Sequence, residues 1–231
     1  SPNELSYGHI YSDLETAQSS GFMTWASTRQ SASSIFFALK DSMGDDSADD
    51  TAYYLAHLAI HEYIHIVQAS YTDSGDMPYS ELFIEGYAQM MGQFLGDQAG
   101  FMSFKEEMNN GFAQFDQVDD SSYLNLMNDD FQRISASLRL PFIYAGGAWA
   151  MAYLAHSVMP ENCPMYCRQG LDALHGYMQN AGGSDHEAIF TRLFPYDSYS
   201  EFYSDFYSFI HQLDTASAAV WMDSFYARIT H

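Results

Sequence analysis

The spacing of apolar and polar positions changes character along the chain. Residues 22–28 and 34–40 are short runs rich in aromatic, β-branched and small side chains, separated by the turn-like Arg29-Gln30-Ser31-Ala32-Ser33. That pattern predicts two antiparallel strands. After the acidic stretch 41–50 the apolar spacing turns helical. A first long helix is expected from about Asp50 to Tyr71, capped by Ser47 or Asp49, with clustered aspartates at its electropositive end. A second follows the loop 72–77, has Pro78 near its first turn and ends about Gly96. Further helices are expected over 101–110, 122–138, 143–158 and 164–179, and the pairs Ser184/Glu187 and Ser198/Glu201 read as capping boxes that start two more. Strands first and many helices afterwards predict an α+β fold, a small N-terminal antiparallel sheet packed on a predominantly helical part. No repeat or low-complexity linker divides the chain, so a single domain is expected over 1–231, strand-rich to 45 and helical from 46.

Composition narrows the partners. The 231 residues are 47% hydrophobic and 16% aromatic, outside the disordered class. Thirty acidic residues against eight Lys+Arg give a net charge of −22. A field of that sign repels phosphate backbones and anionic headgroups, which argues against nucleic acid and membrane partners. It suits salty surroundings, where self-repulsion is screened. The expected location is secreted or periplasmic; Ser1-Pro2-Asn3-Glu4 has no basic or apolar leader character, so any signal peptide is expected to have been removed or never to have existed. The apolar stretch 141–159 contains His156, Pro141, Gly146 and Gly147 and reads as a buried helix rather than a membrane span. Cys163 and Cys167 are too few for a disulfide scaffold; a local disulfide is favoured over two thiols because a four-residue helical spacing brings them within bridging range.

The sharpest chemical feature is His61-Glu62-Tyr63-Ile64-His65. On a helix, residues i and i+4 stand one above the other, so both imidazoles can reach one metal ion, with Glu62 at the rim of that face. In a chain with nine His, chance produces the pattern about 0.015 times. The duller account, two histidines satisfied by core hydrogen bonds, is weakened by the apolar surroundings, in which two imidazoles and a carboxylate need a partner. A catalytic zinc takes three protein ligands and keeps one open position. His57 lies too far along the helix to join the same ion and is expected in a supporting or core role. Gln68 and Tyr71 stand where a metzincin has glycine and histidine. The second helix offers Glu81 and Glu85; Asp73 and Asp76 lie in the intervening loop.

Leu82-Phe83-Ile84-Glu85-Gly86-Tyr87-Ala88 resembles the glutamate-glycine-x-alanine segment of the gluzincins, metallopeptidases whose zinc is held by two histidines and a glutamate. The resemblance implies His61, His65 and Glu85 as zinc ligands, with Glu81 beside them, and a zincin-like fold. Gly86 and Ala88 then read as small residues that let two helices approach. Tyr144-Ala145-Gly146-Gly147-Ala148-Trp149 is similar to the tyrosine-x-x-glycine helix of gluzincin aminopeptidases, which implies that Tyr144 stabilises the oxyanion. Those aminopeptidases also bind the substrate amine through a glutamate after a glycine-x-methionine; here Gly21-Phe22-Met23-Thr24-Trp25 has none. The implied activity is therefore a zinc endopeptidase, with a peptide or protein substrate, Glu62 as general base and an extended peptide held along the strand 34–40. Two alternatives stay open: a catalytically silent zincin-shaped binding module, and a zinc hydrolase of a non-peptide substrate. Asp41, Asp45, Asp46, Asp49 and Asp50 lack the spacing of an EF-hand loop, so calcium is the weaker reading there and a solvated, helix-capping segment the stronger. Asp116, Asp119, Asp120, Asp129 and Asp130 read as solvated too. Tyr199, Phe202, Tyr203, Phe206, Tyr207 and Ile210 repeat at helical spacing and read as a core stripe.

Overall fold

Long apolar runs with 3.6-residue spacing become helices wherever the structure describes the chain. The computed structural model describes residues 24–29, 34–39, 48–71, 81–115, 142–161, 167–181 and 185–230, with side chains described except in the two strands and at 48–55, 69, 81, 114 and 115. The helices are α1 (Ala48–Ala69), α2 (Glu81–Gln98), α3 (Phe104–Phe115), α4 (Gly147–Ser157), α5 (Gln169–Asn180), α6 (His186–Leu193), α7 (Tyr199–Ile210) and α8 (Thr215–Thr230). A π-helical turn, Phe142–Gly146, runs directly into α4.

The α+β expectation is overturned. Among the residues whose side chains are described, 81% are helical and none lies in a strand. Outside them, β1 (Thr24–Arg29) and β2 (Ser34–Leu39) pair antiparallel, Thr24 opposite Leu39. They make a two-stranded ribbon along α1, and the described residues hold no further strand for helices to cover. Aromatic and β-branched runs favour extended backbone, but two strands alone bury too little to organise a fold. The fold class is helical, and its core is a helix-on-helix core.

That core is centred on α2, which packs between α1 and α4. Where α2 and α4 come closest, both residues are glycines. A Cβ built on Gly86 would lie 2.5 Å from the carbonyl carbon and oxygen of Gly147, and one built on Gly147 would lie 2.8 Å from the Cα of Gly86. The α1–α2 approach uses a different glycine, Gly92, whose missing Cβ faces the His61 backbone at 3.4 Å. Gly86 therefore serves α4, and Gly92 takes the part the sequence suggested for Gly86. Around this centre Trp149 is fully buried and donates its indole N–H to the Met108 carbonyl on α3 at 2.7 Å. On α7, Phe202, Tyr203, Phe206 and Ile210 are buried, as the core-stripe reading expects.

Helix ends show why elements begin where they do. Ser198 caps α7, accepting the Glu201 N–H at 3.1 Å from extended backbone. At α6 the N-cap is Asp185 rather than Ser184, and it makes no side-chain cap bond. Helix α8 was not expected; Asp214 and Ser217 form its reciprocal cap, with Ser217 N–H on Asp214 Oδ1 at 2.8 Å and Asp214 N–H on Ser217 Oγ at 2.9 Å. Helix α2 closes at Gly100, whose φ of 77° is the left-handed conformation this kind of helix end requires. The expected helix 122–138, Ser184, Cys163 and hence the Cys163–Cys167 bridge lie outside the described residues. So do the acidic groups at 41–46 and 116–130 and the loop aspartates Asp73 and Asp76, and with them the calcium reading; the side chains of Asp49, Asp50 and Glu81 are likewise undescribed.

Candidate metal centre

Helix α1 supplies two imidazoles one turn apart, and α2, running alongside, supplies the carboxylate. His61 Nε2 and His65 Nε2 lie 3.0 Å apart, and each is 3.1 Å from Glu85 Oε2. Both histidines are buried, and the Glu85 side chain is 21% exposed. These are the only three described His, Cys, Asp or Glu residues placed to share an ion. His57, one turn earlier on α1, instead donates from Nε2 to Gln89 Oε1 at 3.3 Å, outside the cluster as its spacing predicts. His156, His175, His186 and His211 bond elsewhere, to Arg228, Gln179, Tyr199 and the Tyr207 carbonyl.

The donor set fits a divalent ion. Two imidazole nitrogens and one carboxylate oxygen suit zinc and other first-row divalent metals alike. A tetrahedral zinc with bonds of about 2.0 Å needs ligand atoms about 3.3 Å apart, so a few tenths of an ångström of expansion would seat it. Hydrogen bonds tie the three side chains together. Burial works to raise the Glu85 pKa, but hydrogen bonds from His61 and His65 outweigh it and hold the carboxyl at about 2. Burial pushes His61 below its ordinary value. Burial works in the same sense on His65, but the hydrogen bond and charge of Glu85 prevail and its pKa rises. A divalent ion binding here would displace protons from the imidazoles.

The second nitrogens differ. His65 Nδ1 donates to Gln68 Oε1 at 2.8 Å, and Gln68 Nε2 donates to the Ile84 carbonyl at 3.0 Å, one residue before Glu85. His61 Nδ1 is buried with no partner among the described residues. The sequence reading gave Gln68 no role of its own; a glutamine three residues after a ligand histidine was the available signal.

Compared with protein-family models, curated proteins and solved structures, the chain finds no match. The site therefore rests on its own geometry. Glu62 is buried beside the cluster, near enough for its charge to act on His65. Tyr144, on the π-helical turn, packs its ring against His61 with centroids 5.6 Å apart. The structure thus brings His61, Glu62, His65, Glu85 and Tyr144 together from three segments of the chain.

Proposed function

We propose that this protein is a metal-dependent hydrolase of peptide bonds, cutting within chains, with zinc as its ion. The observation that carries the reading is the convergence of His61 Nε2, His65 Nε2 and Glu85 Oε2 within 3.1 Å of one another, beside the carboxylate of Glu62. A divalent ion held there supplies Lewis acidity and an acidified water. His61, His65 and Glu85 hold the ion, and Glu85 brings a negative charge that offsets part of its own. Glu62 takes a proton from the attacking water and returns it to the leaving amine, one carboxylate serving both transfers. Its position on the same helix as the histidines fixes its distance to the reacting centre. Tyr144 donates its phenol hydrogen to the oxygen that gains charge as the carbonyl becomes tetrahedral. The buried apolar flank of α1 and α2 keeps bulk water from competing for these groups.

The test is wild-type protein against Glu62→Gln, both assayed for bound metal by elemental analysis and for internal cuts in a peptide library by mass spectrometry. Both proteins are expected to bind one equivalent of zinc, and only wild type to cut. Equal cutting by both would refute the role of Glu62. Stepwise loss of N-terminal residues would refute the endopeptidase reading, and zinc binding without cleavage of any peptide would shift the reading to a binding module or a non-peptide hydrolase.

A further inference from the structure

We infer that Gln68 is the positioning residue of this centre, a tautomer lock that presents the bare Nε2 of His65 to the metal. The inference rests on the metal reading above and adds the group that prepares one ligand for it. The argument is one of donors and acceptors. The Ile84 carbonyl can only accept, so the amide nitrogen of Gln68 must face it, at 3.0 Å. The same nitrogen points its other hydrogen toward the Met178 sulfur at 4.0 Å. The amide oxygen is thereby turned to His65, where it can only accept, so it draws the proton of a neutral His65 ring to Nδ1 against the pull of Glu85 on Nε2. A proton held on Nδ1 leaves the Nε2 lone pair free for an ion between His61 and Glu85. Gln68 is fully buried, so no water offers the imidazole an alternative partner there. Because the lock is anchored on the Ile84 carbonyl, the helix that carries Glu85 also sets the tautomer of His65. Among the described residues His61 has no such partner.

The experiment uses the full chain and three substitutions, Gln68→Leu, Gln68→Glu and Gln68→Asn, each checked for native circular dichroism. Two quantities are read: zinc affinity by competition with a chromophoric chelator, and the His65 tautomer by long-range proton–nitrogen spectra of metal-free protein at mildly alkaline pH. Gln68→Leu is expected to weaken zinc binding about 10- to 100-fold and to let the proton leave Nδ1. Gln68→Glu keeps an acceptor for Nδ1–H and should recover affinity relative to Leu; Gln68→Asn, too short to reach both partners, should resemble Leu. A packing role predicts the reverse order, with the apolar Leu tolerated and the buried carboxylate disruptive. Wild-type affinity in Gln68→Leu, or an unchanged Nδ1 proton there, overturns the inference. Failure of wild type to bind zinc while its His65 holds the Nδ1 proton and Gln68→Leu loses it would sink the metal reading and leave the lock standing.

Discussion

The crossing of α2 and α4 can be tested by adding a single methyl group. In Gly86→Ala the new Cβ would sit 2.5 Å from the carbonyl carbon and oxygen of Gly147. Carbon–carbon contacts are comfortable near ~3.5 Å, so the helices must separate by about 1 Å. The obstructing atoms are backbone, so no rotamer change relieves the clash. Overpacking of this kind costs about 3 kcal/mol, the upper end of its usual range. For a chain of this size that is a fall in Tm of roughly 6–12 °C. Because Gly86 adjoins Glu85, the same displacement shifts the carboxylate relative to the two imidazoles, and zinc affinity should fall with stability. Gly176→Ala is the control. Gly176 lies within α5 with nothing inside 4 Å of a built Cβ. The same methyl there should stabilise by about 0.5–1 kcal/mol, because alanine is the better helix former. Urea unfolding followed by circular dichroism, with chelator competition for zinc, measures both. A Gly86→Ala protein unfolding at the wild-type midpoint, or two alanine variants shifted in the same direction, would refute the backbone-contact argument.

Three further predictions are independent of it. Tyr144→Phe should retain wild-type zinc affinity and lose about 10²–10³-fold in kcat, the usual cost of one oxyanion donor, read by steady-state kinetics on a cleaved peptide. In metal-free protein, Glu85 has its pKa lowered to about 2, so its stabilising effect is complete above the unfolded value of 4.5 and is lost as pH falls towards 2. His65, raised, acts oppositely: its contribution is present below 6.5 and lost as pH rises through its folded value. Urea midpoints of wild type and Glu85→Gln should therefore differ most between these limits and converge in strong acid. Ser198→Ala should cost about 1 kcal/mol through loss of the bond to the Glu201 N–H, seen as a lower urea midpoint with an unchanged m-value.

The part of the centre legible in the sequence is the part governed by helical periodicity. His61 and His65 are four apart, and a residue pair at that spacing shares a face whatever the fold. The helix that follows offered Glu81 and Glu85 alike, and only the resemblance of residues 82–88 to a known metallopeptidase segment singled out Glu85. Ser198 was readable as a cap because the serine and the bond it makes are three residues apart. What depends on segments distant in the chain was not. Gly86 looks the same whether it admits α1 or α4, and only Gly147, some sixty residues on, decides. The ribbon segments have the composition of sheet strands, but composition does not count how many neighbours a strand will find. Asp214 with Ser217 is a reciprocal cap written in the opposite order from the usual serine-then-glutamate pattern, so α8 went unread. Gln68 was visible as a residue but not as a role, because its partner is a main-chain carbonyl that carries no sequence signature.

The π-helical turn before α4 has a consequence for lineage. Such a turn holds one more residue in each hydrogen-bonded loop than an α-helix does. Within it and at its end, Tyr144 meets α1, Ala145 comes within reach of Gly111 on α3, and Gly147 meets α2. Deleting one residue here would preserve a helix but rotate everything upstream, so that Tyr144 and Gly147 could no longer face their separate partners at once. A kindred chain with the plain α-helical version would be offset by one position at this point. It would have to find its phenol from another residue, and an alignment that allows no gap inside helices would place the tyrosines of the two chains against the wrong neighbours.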